Sequence, residues 1–192
     1  TKVNALISSL NANNNTGVLV AKFGAGTSVG DFANLSGTGT NIIELSITDA
    51  ISSNAHLDAL QALGAKTAGV ITASISADKD QILNRLTNFD TVNNGTSDIL
   101  TITATGNSSY QNASDILDKS ADDSKVTISN IVDSAAALTA NTVTNAVLNR
   151  ADSIAITGGA AVNAAQAKTL SQYTNQSAIR YSISDAAATV AA

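Results

Sequence analysis

A glycine-rich stretch near the N-terminus is the pattern in this sequence that comes closest to a cofactor-binding turn. Gly24, Gly26 and Gly30 follow the strand-like run VLVAKF, and Glu44 lies twenty residues after Gly24. In a dinucleotide-binding turn, such glycines let the backbone reach a pyrophosphate at a helix N-terminus. The spacing here is G-x-G-x-x-x-G, however, and Gly106 follows another strand-like run. We therefore interpret these glycines as exit turns of repeated strands and predict no bound cofactor.

Few side chains could carry nucleophilic or acid–base catalysis. The chain has no Cys and a single histidine, His56, which a Ser-His-Asp site would have to use with Asp58. No G-x-S-x-G sequence provides an activated nucleophile. Paired carboxylates for glycoside cleavage stay open, but three Phe and three Tyr are few for stacking on sugar rings. We predict that the chain is not an enzyme, and a secreted solenoid enzyme acting on polysaccharide is the third alternative.

Aspartates recur shortly after the strand-like runs, at Asp49, Asp78, Asp133 and Asp185. Carboxylates at loop positions are ligands for Ca²⁺, so Asp49, Asp133 and Asp185 are the candidate metal residues. One Asp per repeat supplies too few oxygens for that ion, and the Gly-Gly-x-Gly-x-Asp nonapeptide is missing. The favoured interpretation is a helix N-cap or a turn residue that accepts backbone N–H bonds.

Composition limits the classes of partner. Of the 192 residues, 44% are hydrophobic and 3% aromatic, which predicts an aliphatic core without large aromatic pockets. The net charge of -5 argues against a nucleic-acid partner, and no apolar run approaches the roughly 18 residues of a membrane span. The absence of Met, together with the strand-like run YSISDAAATVAA at the end, leads us to expect a piece of a longer protein.

One strand-like pattern is written repeatedly, as in LSITDA, ASISAD, LTITAT, VTISNI, IAITGG and YSISDA. The central residues recur at intervals of about 27, which indicates stacked supersecondary units; they are Val20, Ile47, Ile75, Ile102, Ile128, Ile156 and Ile183. We predict strands near residues 18–22, 45–49, 73–77, 100–104, 126–130, 154–158 and 181–185. No linker composition divides the chain, so residues 1–192 are predicted to form a single continuous repeat array.

Alternate positions of each strand differ in chemistry. The residues two before each centre are apolar or aromatic: Val18, Leu45, Ala73, Leu100, Val126, Ile154 and Tyr181. The intervening positions are mostly hydroxylated: Ser46, Thr48, Ser74, Ser76, Thr101, Thr103, Thr127, Ser129, Thr157, Ser182 and Ser184. Because a strand sends alternate side chains to opposite faces, one sheet face is predicted to be a core layer and the other an exposed Ser/Thr layer. That layer is the candidate ligand face, and small residues that merely pack well are the alternative.

Segments with helical spacing separate the strands. AHLDALQALG places Leu57, Leu60 and Leu63 three residues apart, and DQILNRLTNF places Ile82, Leu86 and Phe89 on one side. Further examples are VNALISSL, SDILDKS, NTVTNAVLNRA and AAQAKTLSQYT. The predicted fold class is therefore α/β, a parallel β-α solenoid of about seven repeats. Short helices cover one face of its sheet, and neighbouring repeats supply most of the stability.

Several of these segments resemble repeats of very large bacterial surface, secreted and adhesin-like proteins, including cyanobacterial and marine-phage versions. The segments are ITDAISSNAHLDALQAL, IVDSAAALTA and YSISDAAATVAA, which are similar to the family's VSDTAANL and LDAL sequences. Asp133-Ser134-Ala135 and Asp185-Ala186-Ala187 keep the family's strand-to-helix pattern, and Asp49-Ala50-Ile51 keeps its start. The resemblance spans roughly residues 42 to 192 and implies an extracellular structural or adhesive role without a defined chemistry.

The sequence thus predicts a non-catalytic spacer segment of an extracellular surface, surface-layer or adhesin-like protein. Its partners would be neighbouring repeats of the same protein, with self-assembly or contact with polysaccharide or a cell surface as further expectations. The alternative is an adhesive module that binds polysaccharide or a cell surface through the Ser/Thr layer. No cofactor is expected, and Ca²⁺ stays open.

Overall fold

A parallel sheet dominates the fold. The computed structural model describes residues 5, 20–32, 42–87, 98–157, 161–175 and 179–185, with the backbone alone for 20–27 and 31. The strands are β1 (Val20–Thr27), β2 (Ile42–Ile51), β3 (Ile71–Asp78), β4 (Ile99–Ser108), β5 (Val126–Asp133), β6 (Ala151–Ile156), β7 (Ala161–Val162), β8 (Ile179–Arg180) and β9 (Ser182–Ile183). Strands β1 to β6 form the main sheet in chain order, extended at one edge by β8. Strands β7 and β9 pair as a small second sheet.

Short helices connect the strands of the main sheet. They are α1 (Asn54–Gly64), α2 (Lys79–Arg85), α3 (Tyr110–Leu117), α4 (Ala135–Leu138), α5 (Asn145–Leu148) and α6 (Ala164–Leu170). Single turns of 3-10 helix cover Val29–Phe32 and Asp123–Lys125. The mixed α/β class and the parallel sheet are confirmed. We call one strand with the helical segment that follows it a β–α unit.

Polar residues start most of these helices. The side chains of five N-cap residues accept a backbone N–H of the first turn, which satisfies a donor that has no partner within the helix; they are Ser53, Asp78, Ser109, Ser134 and Asn163. Asp78 and Asn163 also form capping boxes with Gln81 and Gln166. The predicted first helix, VNALISSL, lies outside the described residues apart from Ala5, which is helical.

The core lies between the helices and one face of the main sheet. In β3 and β4 the burial alternates along the strand, with Ile71, Ala73 and Ile75 buried and Thr72 and Ser74 exposed. Buried helix residues belong to the same hydrophobic cluster as the strand residues, among them Leu57, Leu60, Leu63, Ile82, Leu86, Val147, Leu148, Ala167 and Leu170. The apolar stripe of each helix therefore covers the apolar rows of the sheet, and the opposite face remains in solvent.

The observed strand pairing does not place all the predicted central residues opposite one another. Ile75 does pair with Ile102, but Ile128 pairs with Ala104 and Ile156 pairs with Asp133. The register shifts between Ser46 and Ala50 against β3, and between Ala104 and Asn107 against β5, because extra residues bulge from one strand of the pair. The period of about 27 is thus a count along the chain, and the bulges decide which residues become neighbours.

Both ends of the predicted array need correction. The first strand, β1, begins two residues later and ends five residues later than the predicted 18–22, and Val18 and Leu19 lie outside the described residues. The predicted strand at 181–185 is replaced by the two-residue strands β8 and β9. Tyr181 and Ile183, predicted to be in the core layer, are exposed. Strands β2 to β6 each have a neighbour on both sides, whereas no described strand lies on the outer side of β8.

Polar residues in four loops bind the start of the preceding strand. Thr67, in the loop before β3, accepts from the Ile43 N–H at 2.8 Å and donates to the Ile43 carbonyl at 2.9 Å. Asp98 accepts from the Ile71 N–H at 2.7 Å. The analogous bonds further along are Ser120 Oγ with Leu100 N–H, and Asn175 Nδ2 with the Leu148 and Ala151 carbonyls. Each bond joins the loop that leads into one strand to the start of the strand before it, so these residues hold consecutive strands together at their starts.

Candidate functional site: the hydroxyl face

The exposed face of the central strands carries rows of hydroxyl groups. Ser74 pairs with Thr101, and Ser76 pairs with Thr103, which in turn pairs with Thr127. We call the exposed side of β3 and β4, together with the half-buried Thr127 of β5 beside it, the hydroxyl face; its exposed members are Thr72, Ser74, Ser76, Thr101, Thr103 and Thr105. Adjacent strands lie about 4.8 Å apart, so paired hydroxyls form rows across the sheet.

Two members of the hydroxyl face were not among the predicted residues. Thr72 pairs with Ile99 beside the Ser74–Thr101 row, and Thr105 pairs with Asp78 beyond the Ser76–Thr103 row. The sequence signal for both is the same alternation, continued beyond the five-residue strands that the repeat predicts. Strands β3 and β4 are in fact eight and ten residues long, so they present more hydroxyls than the repeat pattern indicates.

The remaining predicted face residues do not all join these rows. Ser46 is half-buried and pairs with Thr72, whereas Thr48 is exposed in the bulged part of β2. Ser129 is half-buried in β5, and Thr157 lies in the turn after β6. Ser182 and Ser184 are exposed, but Ser182 belongs to the small β7–β9 sheet and Ser184 follows it. A continuous hydroxyl ladder over seven strands is therefore wrong, because bulges and the second sheet interrupt it.

Hydrogen bonding is the chemistry that the hydroxyl face offers. A Ser or Thr hydroxyl provides one donor and two acceptor sites, and the rows place such groups at regular spacing without an intervening charge from β3 or β4 before Asp78. This arrangement suits a neutral polyhydroxylated surface. Neither a histidine nor a lysine lies among the hydroxyl-face residues to activate a hydroxyl as a nucleophile.

The candidate metal residues act differently from one another. The Asp133 carboxylate accepts from the Tyr110 N–H at 3.0 Å and from the Ser134 N–H at 2.8 Å. Asp185 accepts from the Ala164 N–H at 3.0 Å. Both carboxylates thus reach the first residue of the helix in the preceding unit, where the helix dipole favours negative charge. Asp49 is exposed in β2.

No group of three His, Asp or Glu side chains that could hold a metal occurs within the described ranges. Asp78 serves as the N-cap of α2, and its carboxylate lies against Gly106, where an added Cβ would be 2.7 Å from Oδ2. Gly106 has a φ of 84°, a conformation that glycine adopts readily. These aspartates and this glycine therefore shape the strand ends.

The glycine-rich stretch and the histidine, the other candidates for chemistry, lie within strands and helical turns. Gly24 and Gly26 lie inside β1, and Gly30 lies in the 3-10 turn that follows, so the interpretation of the first two as exit turns is wrong. Strand β2 follows as the neighbour of β1, with Glu44 paired to Lys22 in the backbone register. His56 is exposed in the first turn of α1, where its backbone N–H donates to Ser53 Oγ.

The described tyrosine hydroxyls bind backbone rather than lining a binding surface. Tyr110 Oη donates to the Thr142 carbonyl at 3.1 Å and accepts from the Thr144 N–H at 3.0 Å. Tyr173 Oη donates to the Leu138 carbonyl at 2.9 Å, and burial of this side chain raises the pKa of the Tyr173 phenol. Through these bonds Tyr110 and Tyr173 each link two segments, which are 32 and 35 residues apart in the chain. Nothing in the sequence pattern indicated that these hydroxyls hold neighbouring units together.

Comparison with known proteins adds no relative. Neither a protein-family model, nor a curated protein, nor a solved structure matches this chain. Across the part of the chain that the structure describes, there is no helix with the length and apolar character needed to cross a bilayer.

Proposed function

We propose that the chain is a non-catalytic spacer segment, built as a parallel β-α solenoid of about seven repeats, in a large extracellular surface, surface-layer or adhesin-like protein. The observation that carries the proposal is the placement of polar groups at the unit boundaries. Thr67, Asp98, Ser120 and Asn175 bind the strand starts of preceding units, and Asp133 and Asp185 bind helix starts. These polar side chains thus join successive strands and helices along the chain, which an array under tension requires.

Sheet order supports the same proposal. Strands β1 to β6 follow one another in space as they do in sequence, so each unit contacts its sequence neighbours. A pull along such an array acts on nearest-neighbour interfaces, whose energies add approximately along the chain. The location outside the cell rests on the resemblance to surface and secreted repeat proteins.

Single-molecule force measurement tests the spacer proposal. The chain is held between two handles attached at its termini and extended at constant speed. We expect successive unfolding steps, each releasing the contour length of one unit, about 27 residues or roughly 9 nm. A single all-or-none step for the whole chain would contradict an array of semi-independent units.

The hydroxyl face favours a second candidate function, in which the chain is an adhesive module that binds polysaccharide or a cell surface. Its supporting observation is the exposed set of paired hydroxyl rows on β3 and β4. The chain is incubated with insoluble polysaccharides and with intact cells, with Ca²⁺ or a chelator present, and bound protein is measured against concentration. The spacer proposal expects no saturable retention.

Matched lysine variants make the adhesion test specific. Thr101→Lys and Thr103→Lys place a charge on the hydroxyl face, whereas His56→Lys places the same charge on the exposed side of α1. An adhesive module would lose retention in the first two variants and keep it in the third. Equal retention by all three variants would remove the hydroxyl face as the binding surface.

A further inference from the structure

The pairing of β3 with β4 is the longest uninterrupted ladder in the part of the chain that the structure describes. Seven consecutive residues of β3, from Thr72 to Asp78, face seven of β4, from Ile99 to Thr105, without a shift of register. In no other described pair of strands are more than four consecutive residues partnered. Because a parallel ladder spaces its hydrogen bonds evenly, a force that slides β3 along β4 acts on many bonds at once.

Bulges interrupt the strand pairs on either side of this ladder. Between β2 and β3 the register shifts between Ser46 and Ala50, and two residues of β2 are paired on each side of the shift. Between β4 and β5 the shift falls between Ala104 and Asn107, where Gly106 has a φ of 84°. A bulge leaves the extra residues unpaired and disrupts the ladder locally. A shorter continuous ladder therefore resists sliding in each flanking pair than between β3 and β4.

Side-chain contacts at these strand pairs do not offset the difference in ladder length. Thr67 binds the start of β2 through two hydrogen bonds, and Asp98 binds the start of β3 through its carboxylate. A bond to a charged acceptor is about twice as strong as a neutral one, so the two loop contacts are of similar strength. Arg85 of α2 pairs with Asp58 of α1, but their side chains are 41% and 52% exposed, and exposed ion pairs contribute little.

We propose that the β3–β4 pair is a mechanical clamp. Under tension the bulged β2–β3 and β4–β5 pairs open first, and β3 and β4 stay together as a folded block of two units. The flanking pairs let the chain lengthen at moderate force, and the clamp limits how far it extends. The inference rests on the proposed spacer function, because the order of opening matters in a chain that carries load, and it adds to that function the places where the chain yields.

Single-molecule pulling with handles inside the 192-residue chain tests the clamp. The chain has no Cys, so two introduced cysteines define the attachment points. The double variant Thr72→Cys, Thr105→Cys loads β3 against β4 in shear, because these exposed residues lie near opposite ends of the paired strands. The double variant Thr48→Cys, Thr72→Cys is the matched control, which loads β2 against β3 in the same geometry from a shared attachment point. Circular dichroism establishes that both variants are folded, which the exposure of all three side chains favours.

The rupture force should be roughly twofold higher for the Thr72 and Thr105 handles than for the Thr48 and Thr72 handles, because more ladder bonds are loaded together. The length released identifies which pair opened, since Thr105 lies 33 residues after Thr72, and Thr72 lies 24 residues after Thr48. Equal forces, or a higher force for the Thr48 and Thr72 handles, would overturn the clamp and leave the stepwise unfolding expected of the spacer unaffected. A single all-or-none step with terminal handles would instead contradict the spacer and leave the ratio of the two rupture forces unchanged, so the two proposals fail separately.

Discussion

The central units and the C-terminal unit carry the same alternation of apolar and small polar residues, but they differ in what the alternation buries. In β3 and β4 the residues Ile75 and Ile102 are buried, whereas Tyr181 and Ile183 are exposed. Helices alone do not account for this contrast, because α6 precedes β8 just as α2 precedes β4. The contrast accompanies a difference in strand pairing, because β3 and β4 each pair on both sides, whereas among the described strands β8 and β9 each pair on one side.

A carboxylate introduced into a central strand and one introduced into the C-terminal unit should give the largest difference in loss of stability. Ile102→Asp places a carboxylate in a fully buried position without a partner, and we expect a loss of about 4 kcal/mol or unfolding of the central units. Ile183→Asp should cost less than about 1 kcal/mol, because the side chain is already half in water. Urea unfolding measures both. Similar losses would show that the C-terminal unit is packed like the centre.

Removal of the hydrogen bonds between loop residues and strand starts should have the next largest effect on the free energy of unfolding. Thr67 is fully buried and binds both the N–H and the carbonyl of Ile43, and it also accepts from the Gly69 N–H at 2.9 Å. Thr67→Val keeps the shape but leaves these groups unpaired, at an expected cost of about 2–3 kcal/mol. Asn175→Ala, in a partly exposed loop, should cost about 1 kcal/mol.

Thr67→Ser is the matched control for this prediction, because it keeps the hydroxyl and removes one methyl group. Thermal or urea unfolding should rank the variants as Thr67→Val, Thr67→Ser and wild type in order of increasing stability. A Thr67→Val protein as stable as the wild type would contradict the role assigned to the loop residues.

Removal of the aspartates at the strand ends should also destabilise the central units more than the C-terminal unit, but by a smaller free energy. Asp133 accepts two backbone N–H bonds and is partly buried, so Asp133→Ala should cost about 1–2 kcal/mol. Asp185 accepts from the Ala164 N–H and is exposed, so Asp185→Ala should cost about 0.5 kcal/mol. Added Ca²⁺ should leave the melting temperature of the wild type unchanged. A rise in melting temperature that Asp133→Ala abolishes would instead favour a metal role.

Ionisation of Tyr173 should have the smallest effect on folding stability, and this effect should appear only at alkaline pH. Its folded-state pKa is raised above the usual 10.0 by burial, so the folded state favours the neutral phenol. The resulting stability is present in full below pH 10 and is lost as the pH rises through the folded-state pKa. Tyr173→Phe should lose about 1 kcal/mol at neutral pH, through the bond to the Leu138 carbonyl, and should lack this alkaline decline. An identical decline in the variant would assign it to another group.

Local patterns predicted much of the fold because they act over a few residues. The alternation around Ile75 and Ile102 follows from the two-residue period of a strand, and the stripe of Leu57, Leu60 and Leu63 follows from the helical period. The N-cap role expected for Asp78 depends on its own first helical turn. Strand length, however, depends on neighbours, which is why Thr72 and Thr105 were missing from the predicted face.

Alone, the sequence determined the α/β class, the parallel strands, and which side of the central strands faces the core, because each depends on short-range periodicity and on repetition along the chain. Only the tertiary structure decided which strands pair in which register, since bulges in β2 and β4 shift the partners. It also decided that Thr67, Asp98 and Ser120 bind the preceding strand, and that Tyr181 and Ile183 stay exposed. Those properties depend on contacts between units that are 20 to 27 residues apart in the chain, and a local pattern does not encode which partners will meet.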